Sequence, residues 1–387
     1  TPRTTWSKVS GPGAVTFADA NAARTTATFS AAGEYELRVS ATNGETTAVS
    51  TLRVKVELPP PAQQLAPVVT TRHTISSPLW SARTKVLITS WIPHCITQCT
   101  RPDIPAGRGD GGLDNFIEAA KALRGEPHAA HRGYVFSNAW VHQTVESMSL
   151  ALMVDPQGDP EIIAAQERMR TTLNEWIPII LSAQHPDGYL QTAFTLRNAP
   201  RAGGPGYPGG NSQAWTQRWS PSARANHEGY VAGYFIESAI NHYSMTDRKD
   251  DRLYNAAKKL CDCWADHIGP APKQEWFDGH QEMEQALVRF GRFVNEVEGG
   301  GKGDRYVALA KFLLDCRRNG SEYDQSHVPV TQQYEAVGHA VRAVYSYSAM
   351  ADVAVETHDV DYQSAVKSLW DNITHKKYYL TGGVGSG

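Results

Sequence analysis

Apolar and polar positions alternate in twos over residues 1–57, with Tyr35, Leu37 and Val39 on one face and Leu52, Val54 and Val56 on another. Turn residues at Gly11-Pro12-Gly13, Gly33 and Asn43-Gly44 separate the runs, so the spacing predicts a small all-β, immunoglobulin-like sandwich of short antiparallel strands. Residues 58–67, LPPPAQQLAP, are proline-rich and lack any period, as a stiff extended linker does. Residues 68–387 then form a second domain. Its first part, to about residue 112, contains one short apolar run at 85–91 and reads as partly irregular.

From residue 113 onward the period changes to three and four. Segments beginning near Asn115, Ser137, Pro160, His227, Asp251, Asp278, Asp304, Thr331 and Asp361 each carry an apolar stripe, and many follow Asp, Asn or Ser. This half is all-α. In the segment from Thr331 the stripe runs through Ala336, Val337, Ala340, Val341, Val344, Tyr347, Ala351 and Val355, which places His339 inside the helix.

A repeat runs through these helices. DRLYNAAKKLCD at Asp251, DRYVALAKFLLD at Asp304 and VDYQSAVKSLWD at Val360 align Lys258, Lys311 and Lys367 in one column and Asp262, Asp315 and Asp371 in another. Each is preceded by a segment bearing one buried-looking histidine at its start: His227, His280 and His339. The unit is a helical hairpin of about 55 residues, and such hairpins bury their faces only by stacking. A solenoid and a closed α/α toroid both satisfy this, and the toroid would gather the histidines at one mouth.

Length and composition narrow the function classes. At 387 residues with 41% hydrophobic and 20% charged positions, the chain has material for two or three cores. A net charge of -3 and no block of Lys and Arg argue against a nucleic-acid partner, and no apolar run reaches the ~20 residues of a membrane span. The five cysteines, Cys95, Cys99, Cys261, Cys263 and Cys316, are an odd set that cannot pair completely. Cys261 and Cys263 point to different sides of a helix and do not share a metal; Cys95 and Cys99, four apart in a predicted loop, either pair, bind metal or stay free.

Residues 191–222 form a long insertion with clustered Gly and Pro, and its stretch 201–210 is expected to be mobile. Trp215 and Trp219 within the insertion suit either stacking on a sugar or capping a core.

The segments EAVGHAVRA, YLTGGVGS, HEGYVAGYFIESAINHY, DGHQEMEQALVRF and QHPDGYLQT occur in an order that resembles the glycoside hydrolase family 127 β-L-arabinofuranosidases, over roughly Trp80 to the C-terminus. The strings W-x-K-V-S-G-P-G and F-S-x-x-G-x-Y-x-L-R near the start resemble PKD-type modules of bacterial extracellular enzymes, with Trp6 as the sole candidate sugar platform. The resemblance implies an (α/α)6-type barrel, here incomplete at its C-terminal end, a secreted or cell-surface location, and a plant-derived oligosaccharide or polysaccharide substrate. It implies further that His227, His280 and His339 contact arabinofuranose hydroxyls. The family's cysteine nucleophile, its zinc and its acid/base glutamate are all expected after the T-G-G-x-G-S turn, beyond Gly387, so no catalytic residue and no metal ligand is assigned within this sequence.

Each histidine also admits an ordinary buried role, bonded to a carbonyl. Asp278, Glu282, Glu284, Glu228 and Glu335 are the carboxylates expected near the mouth, with helix capping the competing role for Asp278 and Glu282. Arg342, Arg289 and Tyr234 are the residues that an alternative sugar-acting toroid enzyme, an epimerase or lyase, would use. A non-catalytic carbohydrate-binding or scaffold protein is the reading from a different class.

Overall fold

The computed structural model describes residues 2–57, 71–101, 112–199 and 215–385. The chain divides into two compact units, Thr1–Gln63 and Gln64–Gly387. The proline-rich stretch 58–67 and the glycine-rich stretch 201–210 lie outside the described residues.

In the first unit, β1 (Arg3–Ser10), β4 (Gly33–Thr42) and β5 (Thr47–Val56) make an antiparallel sheet in the order β1-β4-β5, while β2 (Val15–Phe17) pairs with β3 (Ala27–Phe29). The register sets Tyr35 opposite Val54 and Leu37 opposite Leu52. Directly opposed residues share a face, so the two apolar stripes are one face rather than two. Phe29 of β3 packs edge-on against Tyr35 at 4.8 Å, which buries Tyr35 and Leu37, whereas Leu52 stays 51% exposed. Trp6 is half-buried against Phe17, its indole donating to Ala22 O at 3.0 Å.

The second unit begins with regular structure where the sequence reads as irregular: α1 (Pro78–Val86), a π-turn over Leu87–Trp91 and α2 (Ile92–Thr100). Cys95 and Cys99 therefore sit on a helix, and none of the five cysteines is in a disulfide. There follow α3 (Asp114–Leu123), α4 (Asn138–Leu152), α5 (Pro160–Ser182), the short α6 (Thr192–Thr195), α7 (Glu228–Met245), α8 (Arg252–His267), α9 (Met283–Glu298), α10 (Asp304–Asp315), α11 (Ala340–Thr357) and α12 (Val360–Asn372). Local chemistry sets several starts. Asp159 caps α5, accepting from Glu161 N and Ile162 N with Pro160 at the first position, and Asp359 caps α12 in the same way.

Helices α4, α7, α9 and α11 pack side by side as an inner row, and α5, α8, α10 and α12 return along their outer sides. The α4–α5 hairpin belongs to the stack although it lacks the Lys and Asp columns. Those columns have a physical meaning. Tyr306 OH donates to Asp262 at 2.8 Å and Tyr362 OH to Asp315 at 2.7 Å, so the tyrosines of α10 and α12 each bond to the aspartate of the preceding outer helix. Trp264, Trp276, Phe235 and Phe290 are fully buried between the rows, at about 1.5–3 kcal/mol for each such side chain taken out of water.

Two helices start later than their periodicity predicts. α9 begins at Met283 instead of Asp278, and α11 at Ala340 instead of Thr331. Gly338 explains the second: its φ of +78° turns the backbone left-handed, and a Cβ there would stand 1.9 Å from Glu322 O. The buried face of α11 is also rotated from the predicted stripe. Arg342, Ala343, Ser346, Tyr347, Met350 and Val353 are buried, while Val341 and Val344 are exposed.

Candidate functional site

The late starts place all three histidines in the turns just before inner helices. His227 is the cap residue of α7 with φ 58°, His280 lies three residues before α9, and His339 is the cap residue of α11. His339 is thus at the end of its helix rather than inside it, and its Nδ1 accepts from Arg342 N at 3.4 Å. The rings converge: His227 and His280 are 5.2 Å apart between centroids, His280 and His339 5.7 Å. All three line one cavity of about 720 Å³ together with Tyr134, Phe136, Arg224, Tyr230, Tyr323, Asp324 and Arg342.

Asp278 is the joint that holds this arrangement. Its Oδ1 accepts from His280 N at 2.9 Å, and its Oδ2 accepts from Gly229 N and, at 3.1 Å, from Tyr230 N. It therefore caps α7, a helix 49 residues earlier in the chain, while fixing the loop that presents His280. Buried Arg317 supports the same loop from behind, donating to Asp278 O at 2.7 Å and Asp324 O at 2.9 Å. Arg342 ties α11 to it by donating to Gly279 O at 2.5 Å.

Burial pushes the His227 imidazole down to about 3 and that of His280 to about 2, with Arg342 adding to both; His339 is lowered by the same causes. The three rings are neutral near pH 7, each with one donor and one acceptor nitrogen. Tyr134 and Phe136 stack at 5.2 Å with an interplanar angle of 2°, and Phe136 also meets His227 at 4.8 Å. The cavity thus joins a flat apolar surface to hydrogen-bonding groups without net charge on the imidazoles, a combination that suits a polyhydroxylated ring.

The five expected carboxylates do not line it. Glu228, buried, accepts from Trp215 Nε1 at 2.7 Å, Trp219 N at 3.0 Å and Tyr189 OH at 3.1 Å, and burial raises it to about 7. Trp215, held to Glu228 by its indole, and Trp219, held by its backbone N–H, are each 4% exposed and offer no open platform. Asp278, likewise raised to about 7 by burial, is the cap described above. Glu284 pairs with Arg317 at 3.4 Å, Glu335 lies on the surface near Lys377, and Glu282 lines a different cavity with Tyr234 and Arg289. Arg342 alone of the alternative trio reaches the histidines. Asp324 is the one carboxylate among the described lining residues.

Zinc finds no fit here. Cys99 on α2, Cys261 and Cys263 on α8 and Cys316 at the end of α10 are buried, and burial holds Cys261 well above the usual thiol range and Cys263 and Cys316 at about 12. Among the described residues no group of three or more His, Cys, Asp or Glu is placed to hold a metal ion. Tyr230, three residues after His227 in the HEGY segment, was legible as a partner of that histidine; Tyr134, Phe136 and Tyr323 reach the cavity from loops that carry no sequence signal.

The family model for the β-L-arabinofuranosidase, GH127 catalytic domain, matches residues 84–387. A curated non-reducing end β-L-arabinofuranosidase of Bifidobacterium longum subsp. longum is 30% identical over 81% of this chain and 48% of its own length. A solved GH127 β-arabinofuranosidase is 32% identical with a TM-score of 0.65, covering 81% of this chain and 44% of that one. The solved GH127 β-L-arabinofuranosidase from Geobacillus stearothermophilus T6 is 27% identical with a TM-score of 0.64, over 81% and 47%. The chain spans about half the length of the relatives it matches.

Proposed function

The chain belongs to the β-L-arabinofuranosidase GH127 catalytic-domain family, and on that premise we propose that it is the sugar-recognising part of a glycoside hydrolase acting on β-L-arabinofuranosides of plant-derived oligosaccharides or polysaccharides. The observation that carries this reading is the convergence of His227, His280 and His339 on one cavity. Neutral imidazoles hydrogen-bond hydroxyls without the desolvation cost of a buried charge, and the stacked Tyr134 and Phe136 rings offer a face to the sugar's C–H groups. The four stacked hairpins are read as part of an (α/α)6-type barrel. The N-terminal unit, with its resemblance to PKD-type modules, is read as the spacer of a secreted or cell-surface enzyme.

Binding and turnover separate in this reading. Glycoside cleavage uses a proton donor together with a nucleophile or an activated water. The described lining supplies one carboxylate, Asp324, whose Oδ1 is engaged by the hydroxyls of Ser321 and Ser326. Recognition of the ground state alone lowers no barrier. The family's cysteine, zinc and acid/base glutamate are matched by resemblance to no residue of this chain, and no step is derived through them.

Calorimetric titration with methyl β-L-arabinofuranoside tests the proposal, beside an assay for released arabinose. The expected result is weak binding that His280→Ala lowers about tenfold to a hundredfold, without hydrolysis. Binding that survives replacement of His227, His280 and His339 would overturn the site, and hydrolysis by this chain would overturn the separation of binding from turnover.

A further inference from the structure

The turns that present His280 and His339 are far apart in sequence, yet the two rings stand 5.7 Å from each other between centroids. Both turns bond to residues 321–326, whose Tyr323 and Asp324 also line the cavity. Backbone carbonyls in such segments have no helical or strand partner, so where water is excluded they need donors from elsewhere. Two fully buried glutamines supply them. Gln281, the residue after His280, donates through Nε2 to Asp324 O at 2.8 Å and to Gln325 Oε1 at 3.1 Å. Gln325 donates in turn through its own Nε2 to Val337 O at 2.8 Å, two residues before His339. A chain of side-chain bonds thus runs from the turn of His280 to that of His339, and His339 N closes it by donating to Tyr323 O at 3.1 Å.

The pairing is built in ways that mere filling of the core would not require. Gln325 holds a left-handed backbone, φ 55°, which residues with side chains rarely adopt and which persists where surrounding bonds fix it. Its carbonyl accepts from Gln333 Nε2 at 2.7 Å, so backbone and side chain are both held. Gln281 directs its amide donor at the neighbouring segment while its Oε1 has no hydrogen-bond partner, so the groups it donates to are what orient this amide. Other links serve parts of the same frame. Arg317 steadies the His280 turn and Asp324, and Arg342 joins α11 to Gly279, but the turn in front of α11 is reached by Gln325. We propose that Gln281 and Gln325 are positioning residues, a glutamine clamp that fixes the spacing of His280 and His339 so that both rings meet one sugar. The inference rests on the reading of the histidine cavity as the sugar site.

The test replaces each amide with a side chain of similar volume and no hydrogen-bonding groups of comparable strength. In Gln325→Met and Gln281→Met, each shown to be folded by a cooperative circular-dichroism melt, the imidazole C–H resonances of His280 and His339 should shift, while that of His242, in the last turn of α7, should not. Calorimetric titration with methyl β-L-arabinofuranoside should show affinity about tenfold lower in each variant. The double variant should fall no further than the weaker single one, because both residues act through one link. Gln325→Glu separates positioning from filling. Its protonated carboxyl has a donor and an acceptor as the amide has, so affinity relative to wild type should return at about pH 5 and decline as the carboxyl ionises, a profile that Gln325→Met lacks. Unmoved histidine resonances with wild-type affinity in folded Gln325→Met, or losses that add in the double variant, would overturn the clamp. Should the wild-type chain bind no arabinofuranoside, the sugar reading of the cavity falls, and the histidine resonances decide the clamp by themselves.

Discussion

The two cavities of the helical unit are built from the same four helices and differ in where their polar groups are anchored. At the histidine end the polar groups stand in turns before α7, α9 and α11, and the buried acid there, Asp278, is spent on three backbone N–H groups. In the second cavity Glu146, Glu237 and Arg289 stand within α4, α7 and α9, where Arg289 pairs with Glu237, while Glu282, in the turn before α9, keeps a buried oxygen without a hydrogen-bond partner. The lesson is that an acid at a helix end is satisfied only when it reaches the free N–H groups of a helix, as Asp278 does for α7 and Glu282 does not for α9.

The largest test of that difference is Asp278→Ala. It strips an acceptor from three buried N–H groups, at about 1–3 kcal/mol each, so a loss on the order of 5 kcal/mol in urea denaturation is expected, with sugar binding gone. Glu282→Gln should cost under about 1 kcal/mol, because it replaces a carboxyl that has an unbonded oxygen. Equal losses from the two substitutions would erase the distinction.

Next in size is His280→Ala, expected to lower arabinofuranoside affinity about tenfold to a hundredfold while stability changes by no more than about 2 kcal/mol. A large fall in stability with unchanged affinity would make His280 a structural residue.

The pH dependence sharpens the contrast further, because the two sets of groups act with opposite sign. His227 and His280 are depressed to about 3 and about 2, so the stability they contribute is complete above the unfolded value of about 6.5 and is lost as pH falls below it. Glu228 and Asp278 are raised to about 7, and Glu282 further, so their contribution is complete below about 4 and is lost as pH rises through 7. Thermal midpoints should therefore fall towards both extremes. Glu282→Gln should flatten the alkaline side by roughly 2–4 °C, and the imidazole C–H resonances of His227 and His280 should not titrate between pH 5 and 8. The smallest effect is expected from Tyr234→Phe, which removes the hydroxyl bond to Tyr345 where the cavities meet: about 1 kcal/mol of stability, with sugar affinity unchanged.

Much of the scaffold was legible before any coordinates. The change of period near residue 113, the hairpin repeat and the three histidines preceding its outer helices are all local or periodic signals, and the Tyr–Asp bonds between outer helices show why the aspartate column recurs. The α4–α5 hairpin, with no such column, carries no repeat signal, and α1 and α2 fall where the sequence reads as partly irregular.

What the sequence by itself determined is the order and kind of elements, because helix and strand periods are set by residues close along the chain. Tertiary structure alone decided where those elements stop and what their buried groups serve. Gly338 delays the predicted helix to Ala340 by a left-handed turn against Glu322 O, Asp278 caps a helix 49 residues away, and Glu228 holds the Trp215 indole and the Trp219 backbone N–H. Each of these outcomes rests on a partner distant in sequence, and a buried polar group takes whichever partner the packing brings within hydrogen-bond reach.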